Sequence, residues 1–257
     1  MMSGNVAVTG TSVTSRVLSL LGTFDAGHRR LTLTEMAGRA GLPVPTAYRL
    51  VRELAEWGAL VRLPSGEYMV GQRMWDLGLL APVQSGLRQV ASPFLHDLYA
   101  ATLATVHLAE REDEQVLYLD RISGQASVPV VSRIGARLPL HATGVGKVLL
   151  AYAPADVRRK VLAGGLARIT PYTITRPEQL RDQLRRVRLD GYARTSEEMS
   201  LGACSLAVPV TGAKGEVIAS VGVVVGSFAG SMPRLVSALR TAADGISQRI
   251  SAPNFTQ

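Results

Sequence analysis

One short helical segment carries the side chains whose types and spacing best suit a defined chemistry. Its outward face begins with small and hydroxyl groups, continues with an aromatic ring and ends with two guanidinium groups: Val44, Pro45, Thr46, Tyr48, Arg49 and Arg52. Short side chains let a helix approach base edges in the major groove of DNA, and guanidinium groups bind phosphate or guanine. Because this face carries no carboxylate before Glu53, the segment is predicted to read DNA.

Two helical patterns separated by a tight turn would position this face. The first is indicated by apolar residues at helical spacing from Leu33 to Ala40, and it ends at Gly41, which suits a left-handed residue after a helix. Pro43 prevents the first helix from continuing. The second helix is predicted from about Pro45 to Trp57. Its buried face is predicted to contain Ala47, Leu50, Val51, Leu54 and Trp57.

A small hairpin follows the second helix at once. Residues 60–62 are predicted to pair with residues 68–70 across a turn whose Gly66 suits tight backbone geometry. Arg62 then lies on a wing, where it suits a phosphate contact. This order of elements predicts a winged helix-turn-helix. A packing or dimerisation module has the same order, and the basic outer face favours DNA binding over it.

Composition restricts the remaining classes of function. The chain has 257 residues, 47% of them hydrophobic, and a formal net charge of +8, which suits a polyanionic partner and also a membrane surface. No apolar run approaches the roughly 20 residues that span a bilayer, and the N-terminus does not resemble a signal peptide. Cys204 is the single cysteine and the four histidines lack metal-ligand spacing. We therefore expect a cytoplasmic protein without cofactor or metal.

The chain is predicted to have an α+β organisation with two domains. Residues 1–11 are expected to be disordered, 12–71 to form the winged helix-turn-helix (first helix at about 12–25), 72–87 a linker helix and 88–253 a ligand-sensing domain, with breaks at Pro82 and Pro93. Period-two patterns predict strands at 105–113, 115–123, 127–135, 192–198, 204–211 and 216–226. Helices are predicted at 88–104, 143–152, 154–164, 177–190 and 231–250. A mixed or antiparallel sheet with flanking helices is typical of GAF/PAS-like sensors.

Four segments resemble the IclR family of bacterial transcription regulators. They are GLPVPTAYRLVRELAEWG (41–58), VLYLDRISG (116–124), RLPLHATGVGKVLLAY (137–152) and GYARTSEEMSLGACSLAVPV (191–210), and their order and spacing match across nearly the whole chain. The resemblance implies a homodimer or a dimer of dimers that binds a near-palindromic operator. It also implies a small-molecule effector pocket in the second domain. Repression is the commoner mode in the family, and activation stays open.

The pocket is predicted to include the start of a helix at Ala142, Thr143, Gly144 and Val145. Free amides at a helix N-terminus attract a carboxylate, and glycine allows close approach. A nucleotide-binding loop is excluded, because the upstream glycine is absent and Val148 replaces the magnesium-binding hydroxyl. The alternative is that the glycines serve only tight packing of helix on sheet.

Family members that bind small polar acids line the pocket with an acidic residue, a cysteine and two serines. By resemblance these positions correspond to Thr195, Ser205, Gly222 and Val224, and all four depart from the pattern. Cys204 is one residue early and is expected on the other face of its strand. The departures predict a larger, less polar pocket for an aromatic acid, a lactone or an antibiotic-like compound.

Other polar residues do not form a catalytic pattern. Adjacent Glu197 and Glu198 are expected to face opposite ways on a strand, and His141 is as well explained by a structural role as by ligand contact. The basic run Arg181, Arg185, Arg186 and Arg188 favours a solvated face or a subunit contact over DNA. We therefore predict a regulator and not an enzyme. The rivals are a sensor enzyme that converts its ligand and an architectural DNA-binding protein without one.

Overall fold

The computed structural model describes residues 12–25, 27–79, 85–125 and 127–252. The chain divides into two compact units, with the boundary between residues 83 and 84. The predicted disordered segment 1–11, the break at Pro82 and the middle of the predicted linker helix lie outside the described residues. The two units are described separately below.

The first unit has the predicted winged helix-turn-helix order. Its helices are α1 (Val13–Leu21), α2 (Leu33–Ala40), α3 (Val44–Trp57) and α4 (Gln72–Leu79), and its antiparallel hairpin joins β1 (Leu60–Arg62) to β2 (Tyr68–Val70). A reciprocal capping box between Thr32 and Glu35 begins α2. Gly41 ends α2 in the left-handed region at φ 66°, as its position in the sequence predicts.

A small apolar core holds the helices of the first unit together. Leu20, Met36, Leu50, Val51 and Leu60 are each at most 1% exposed. The predicted burial of Trp57 is wrong, because this side chain is 43% exposed. The Arg73 guanidinium of α4 lies 4.5 Å from the centre of the indole ring. The ring therefore packs against a cation and not against apolar core residues.

The second unit is built on one six-stranded antiparallel sheet of order β5-β4-β3-β8-β7-β6. The strands are β3 (Thr105–Glu112), β4 (Gln115–Ile122), β5 (Arg137–Pro139), β6 (Ala193–Ser196), β7 (Cys204–Thr211) and β8 (Val217–Val225). The helices are α5 (Ser85–Thr102), α6 (Gly144–Tyr152), α7 (Ala155–Ala163), α8 (Pro177–Asp190) and α9 (Met232–Ile250). This architecture confirms the predicted α+β class.

Each face of the sheet has its own apolar core. One core joins α5 and α9 to the sheet through residues such as Leu95, Leu239 and Ile246. The other joins α6, α7 and α8 to it through Val148, Leu180 and their neighbours. Period-two alternation along the strands supplies both faces, as expected for a sheet covered on each side.

Two sequence predictions for this unit are wrong. Residues 127–135 form no strand: Pro129 has no amide hydrogen to donate and Gly135 turns the chain at φ 79°. The edge of β4 pairs instead with the short β5 at residues 137–139. Pro93 does not break a helix but lies inside α5, which begins at Ser85 and not at residue 88.

Candidate DNA interface and effector cavity

The outer face of α3 presents most of the side chains that the sequence singled out. Val44, Pro45, Tyr48, Arg49 and Arg52 are exposed, with Tyr48 53% accessible, whereas Thr46 is half-buried. The helix begins after Pro43, and no side chain caps its first amides. Unpaired amides at a helix N-terminus attract anions such as phosphate. The face therefore combines groups that can read bases with a terminus that can bind the DNA backbone.

The arginines of this unit differ in their internal partners. Arg52 pairs with Glu56 at 3.4 Å on the exposed side of α3. Within the part of the chain that the structure describes, Arg49 and Arg62 make neither a hydrogen bond nor an ion pair. Arg62 is exposed on β1, opposite Tyr68 of β2. Both guanidinium groups can therefore bind an external anion without breaking an internal contact.

The second unit contains a cavity between the sheet and the N-terminus of α6. It holds about 490 Å³ of empty space, including the part that opens to solvent. The space inside it that the centres of water molecules can reach is about 50 Å³, which is room for a few waters. The predicted pocket residues that line it are Thr143, Gly144, Val145, Thr195, Ser205, Gly222 and Val224. Ala142, the eighth, is fully buried and does not reach the cavity.

The start of α6 forms one wall of this cavity. The Thr143 hydroxyl caps the helix by accepting a hydrogen bond from the Gly146 amide at 3.1 Å. Gly144 and Val145, which precede Gly146 in the first turn of α6, also line the cavity. A Cβ atom on Gly144 would lie 2.6 Å from the Ser205 hydroxyl. Glycine is therefore needed here both for packing on the sheet and for access to the amides.

The expected enlargement of the cavity at Gly222 has a physical limit. A Cβ atom on Gly222 would lie 2.9 Å from Cγ1 of Val145, so Val145 fills the space that a side chain would occupy. The Cys204 thiol is buried, lies 3.5 Å from the Ser196 hydroxyl and does not line the cavity. This placement agrees with its expected orientation on the other face of β7.

Hydroxyl and ring groups supply the polar part of the wall. The hydroxyls of Thr195 and Ser205 are 2.6 Å apart. His107 Nε2 lies 2.7 Å from the Ser132 hydroxyl, and the His107 ring packs edge-on against Tyr118 at 5.0 Å. Burial lowers the pKa of His107 to about 3, and burial raises the pKa of Tyr118. Both side chains are therefore neutral near pH 7 and can act as hydrogen-bonding groups.

His107, Tyr118 and Ser132 were not identified from the sequence. The period-two pattern of β3 puts His107 on the face that carries the cavity, so a signal was present. The position of Tyr118 depends on a bulge between Leu108 and Ala109, which shifts the register of β4. Ser132 belongs to the segment mistaken for a strand, so its contact could not be foreseen.

A buried ion pair behind the cavity was also missed. The Lys147 ammonium donates to Glu198 Oε1 and to Gln183 Oε1, each at 2.5 Å, and the lysine side chain is 1% exposed. Burial lowers the pKa of Lys147 and raises that of Glu198, while each charge opposes the shift of the other. Glu198 adjoins Met199 and Ser200 in the cavity wall. The pair therefore connects α6 to that wall.

The remaining candidates have structural explanations. His141 Nε2 lies 3.0 Å from the Ala167 carbonyl oxygen and the residue does not line the cavity. Glu197 Oε2 accepts a hydrogen bond from the Gly202 amide at 2.9 Å, as expected for a local acceptor. Among the described residues there is neither a metal-binding group of three or more His, Cys, Asp and Glu side chains nor a helix able to cross a membrane.

Comparison with known proteins identifies the family. Residues 13–64 match the model of the IclR helix-turn-helix domain. Residues 81–248 match that of the bacterial transcriptional regulator IclR C-terminal domain. Among curated relatives, KdgR of Escherichia coli is 32% identical over 248 residues, which cover 94% of each chain. The p-hydroxybenzoate hydroxylase transcriptional activator of Acinetobacter baylyi is 32% identical over 209 residues, covering 79% of this chain and 77% of the relative.

A solved structure agrees with this assignment. The crystal structure of an IclR homolog from Microbacterium hydrocarbonoxydans, complexed with 4-hydroxybenzoate, is 35% identical with a TM-score of 0.88, covering 93% of this chain and 99% of that one. The matching family models describe transcriptional regulators and not enzymes. The chain belongs to the IclR family of DNA-binding bacterial transcription regulators.

Proposed function

We propose that this regulator is a homodimeric repressor whose operator binding is controlled by an aromatic hydroxy acid. The observation that carries the proposal is the cavity beside α6, where helix amides and two hydroxyls meet apolar walls. A carboxylate fits the amides of Gly144 and Val145, because a helix N-terminus stabilises negative charge. The hydroxyls of Thr195 and Ser205, 2.6 Å apart, can bind its oxygens.

The rest of the cavity suits an aromatic ring. Val130, Val131, Leu138 and Val224 provide apolar contacts, and the neutral His107 provides a hydrogen-bonding group for a ring hydroxyl. The 35% identical homolog was crystallised with 4-hydroxybenzoate, which supports this class of ligand. A two- or three-carbon acid would leave the apolar wall without contacts.

On the DNA side, α3 is proposed to enter the major groove of a near-palindromic operator. Val44, Pro45 and Thr46 would lie nearest the bases, with Tyr48, Arg49 and Arg52 following along the helix. Arg62 on the hairpin would bind a backbone phosphate. The exposure of Arg49 and Arg62, and their lack of partners among the described residues, support these roles.

Self-association is supported by apolar residues exposed on the first unit. Leu18 of α1 is 61% exposed, and Trp75 and Leu77 of α4 are 65% and 48% exposed. Large exposed apolar side chains are typical of surfaces that a partner covers. We propose that a second copy covers them and that dimers can pair further. Two copies would place two α3 helices on half-sites about one DNA turn apart.

Effector and operator are proposed to be linked. If the effector binds better to the arrangement that cannot bind DNA, it lowers operator affinity, and DNA lowers effector affinity by the same factor. The predicted linker, which includes α4, would transmit the change, since Arg73 packs on Trp57 at the end of α3. The regulator would act in the cytoplasm. Activation is the second candidate, because one relative is named an activator.

Fluorescence anisotropy on operator DNA tests the proposal. We expect 4-hydroxybenzoate to release the protein from DNA and to raise its melting temperature, whereas pyruvate and glyoxylate have no effect. Thr195→Val with Ser205→Ala should weaken effector binding about thirtyfold, from the loss of two hydrogen bonds of about 1 kcal/mol each. Ser196→Ala, an exposed neighbour on β6, is the control.

A response to small acids alone would contradict the proposed effector class. Transcription in vitro from the operator-bearing promoter separates repression from activation. Output that rises when effector is added to the bound protein supports repression. Output that requires both protein and effector supports activation instead.

A further inference from the structure

The positive charge of this protein is concentrated away from its helix-turn-helix. Residues 1–83 carry eight arginines and six carboxylates, a net charge of +2. Residues 154–194 carry ten Lys and Arg side chains and four carboxylates, a net charge of +6 out of +8 for the whole chain. The strongest cationic region therefore lies in the second unit, around α7 and α8.

A groove between α7 and α8 collects five of these cations. Its basic wall consists of Arg158, Arg159, Arg181, Arg185 and Arg188, and its floor is apolar, with Ala155, Leu162 and Leu184. On α8 the three arginines recur at intervals of four and three residues, which puts them on one helix face. No carboxylate lines the groove. The groove therefore has a basic wall beside an apolar floor.

Internal contacts account for only part of this charge. Arg158 donates to the Ala153 carbonyl, and Arg188 donates to the Ala151 carbonyl at 2.6 Å, so both satisfy the C-terminal end of α6. Arg185 pairs with Asp182. Within the described ranges, Arg159 and Arg181 make neither a hydrogen bond nor an ion pair. Structural contacts therefore do not explain the exposed guanidinium groups of Arg159 and Arg181.

The shape and chemistry of the groove favour a polymeric anion. Arg159, Arg181, Arg185 and Arg188 are exposed, so they do not form the enclosed, desolvated site that holds a small ion. Guanidinium groups bind phosphate in a bidentate manner, and many such contacts gain affinity by releasing counterions from DNA. Operator binding by the first unit also brings a long phosphate chain to the same molecule. Duplex DNA is therefore a better match than an acidic protein, because operator binding brings DNA to this molecule and does not bring an acidic protein.

We propose that the α7–α8 groove binds the phosphate backbone of duplex DNA as a second, sequence-independent contact. It would engage DNA that flanks the operator, or another segment of the same duplex, and would add affinity without base specificity. This inference rests on membership of the DNA-binding family and not on the proposed effector or on repression. Its failure would leave those proposals unaffected.

The test is the salt dependence of DNA binding by the full-length chain. Arg159→Gln with Arg181→Gln is compared with wild type on a minimal operator and on the same operator with long flanks. On the long fragment, losing two phosphate contacts should reduce the slope of log K against log salt by about 2 and weaken binding about tenfold near 0.1 M salt. The minimal operator should be bound as by wild type.

A charge-matched control separates a local contact from general attraction. Arg234→Gln with Arg249→Gln removes two exposed arginines of α9 outside the groove, so it changes the net charge equally. Equal losses in both double variants, or an unchanged slope on long DNA, would overturn the proposal. Unchanged DNA binding with lost transcription in vitro would also overturn it and would assign the groove to an acidic protein. Circular dichroism checks that both variants are folded.

Discussion

The two units handle polar and charged groups in opposite ways. The first presents its functional arginines to solvent, and its resolved pKa shifts belong to the exposed carboxyls Asp25 and Glu35, both lowered mainly by hydrogen bonds. The second encloses polar groups in and behind a cavity, and burial is the largest cause of the pKa shifts of His107, Lys147 and Glu198. A surface that binds a large partner needs accessible charge, whereas a cavity for a small ligand needs groups fixed in place.

This contrast predicts where single substitutions are most costly. In the second unit, Lys147→Met leaves Glu198 buried without its cation, and breaking a buried pair costs about 3–5 kcal/mol of unfolding free energy. The double variant Lys147→Met with Glu198→Leu removes both charges and should regain most of that stability. Denaturant unfolding followed by circular dichroism measures both.

The tryptophans make this test specific to one unit. Both tryptophans of the chain, Trp57 and Trp75, lie in the first unit. The transition seen by tryptophan fluorescence should therefore stay near the wild-type midpoint in the Lys147→Met variant, while the circular dichroism transition of the second unit shifts. A double variant no more stable than the single one would show that the lysine contributes through packing and not through its charge.

The same contrast explains what the sequence could predict. Helical spacing is local, so the boundaries and exposed face of α3 and the residues of α8 follow from residues close together in the chain. The cavity is lined from all six strands of the sheet, and its shape depends on strand register. Seven of the eight predicted pocket residues line the cavity, four of them assigned through resemblance and three from the predicted helix start, whereas Ser132 and the Lys147–Glu198 pair needed the folded chain. The burial of Trp57 was predicted wrongly because its packing partner, Arg73, belongs to α4, which begins fifteen residues later in the chain and lies outside the local helical pattern.

On the exposed face of α3, smaller and functionally selective effects are expected. Arg49→Ala should cost about 1–3 kcal/mol of operator binding and relax the preference at one or two base pairs, if its guanidinium reads a base edge. Arg62→Ala should weaken operator and random DNA alike and reduce the salt slope by about 1. Anisotropy with both DNAs at several salt concentrations distinguishes the two roles.

Protein stability provides the control for this pair. Both side chains are exposed and lack partners among the described residues. The unfolding free energy of both variants should therefore lie within about 0.5 kcal/mol of the wild-type value. Equal losses of affinity on operator and random DNA for Arg49→Ala would assign this residue to the phosphate backbone. If either variant unfolded, its arginine would contribute to the stability of the first unit as well as to DNA binding.

The smallest expected effects are in pH dependence, and they have opposite signs in the two units. In the second unit, burial and the nearby Glu112 raise the pKa of Glu110 from 4.5 to about 7. The folded state then binds more protons than the unfolded state between those values, so this carboxyl lowers stability as the pH rises from 4.5 to 7. Glu110→Gln should therefore stabilise the second unit above pH 7, by about 1 kcal/mol after allowance for solvent screening.

In the first unit the sign is reversed. Hydrogen bonds from the Thr32 amide and hydroxyl lower the pKa of Glu35, so its contribution is present above the unfolded pKa of 4.5 and is lost as the pH falls through the folded value. Glu35→Ala should lower the unfolding free energy of this unit at pH 8. The loss should be smallest at acidic pH, where Glu35 is protonated in the wild type. Tryptophan fluorescence should detect that change, and circular dichroism the gain from Glu110→Gln. A Glu110→Gln variant less stable than wild type at pH 8 would mean that its carboxylate is well solvated, and the contrast between the units would then be confined to the residues around the cavity.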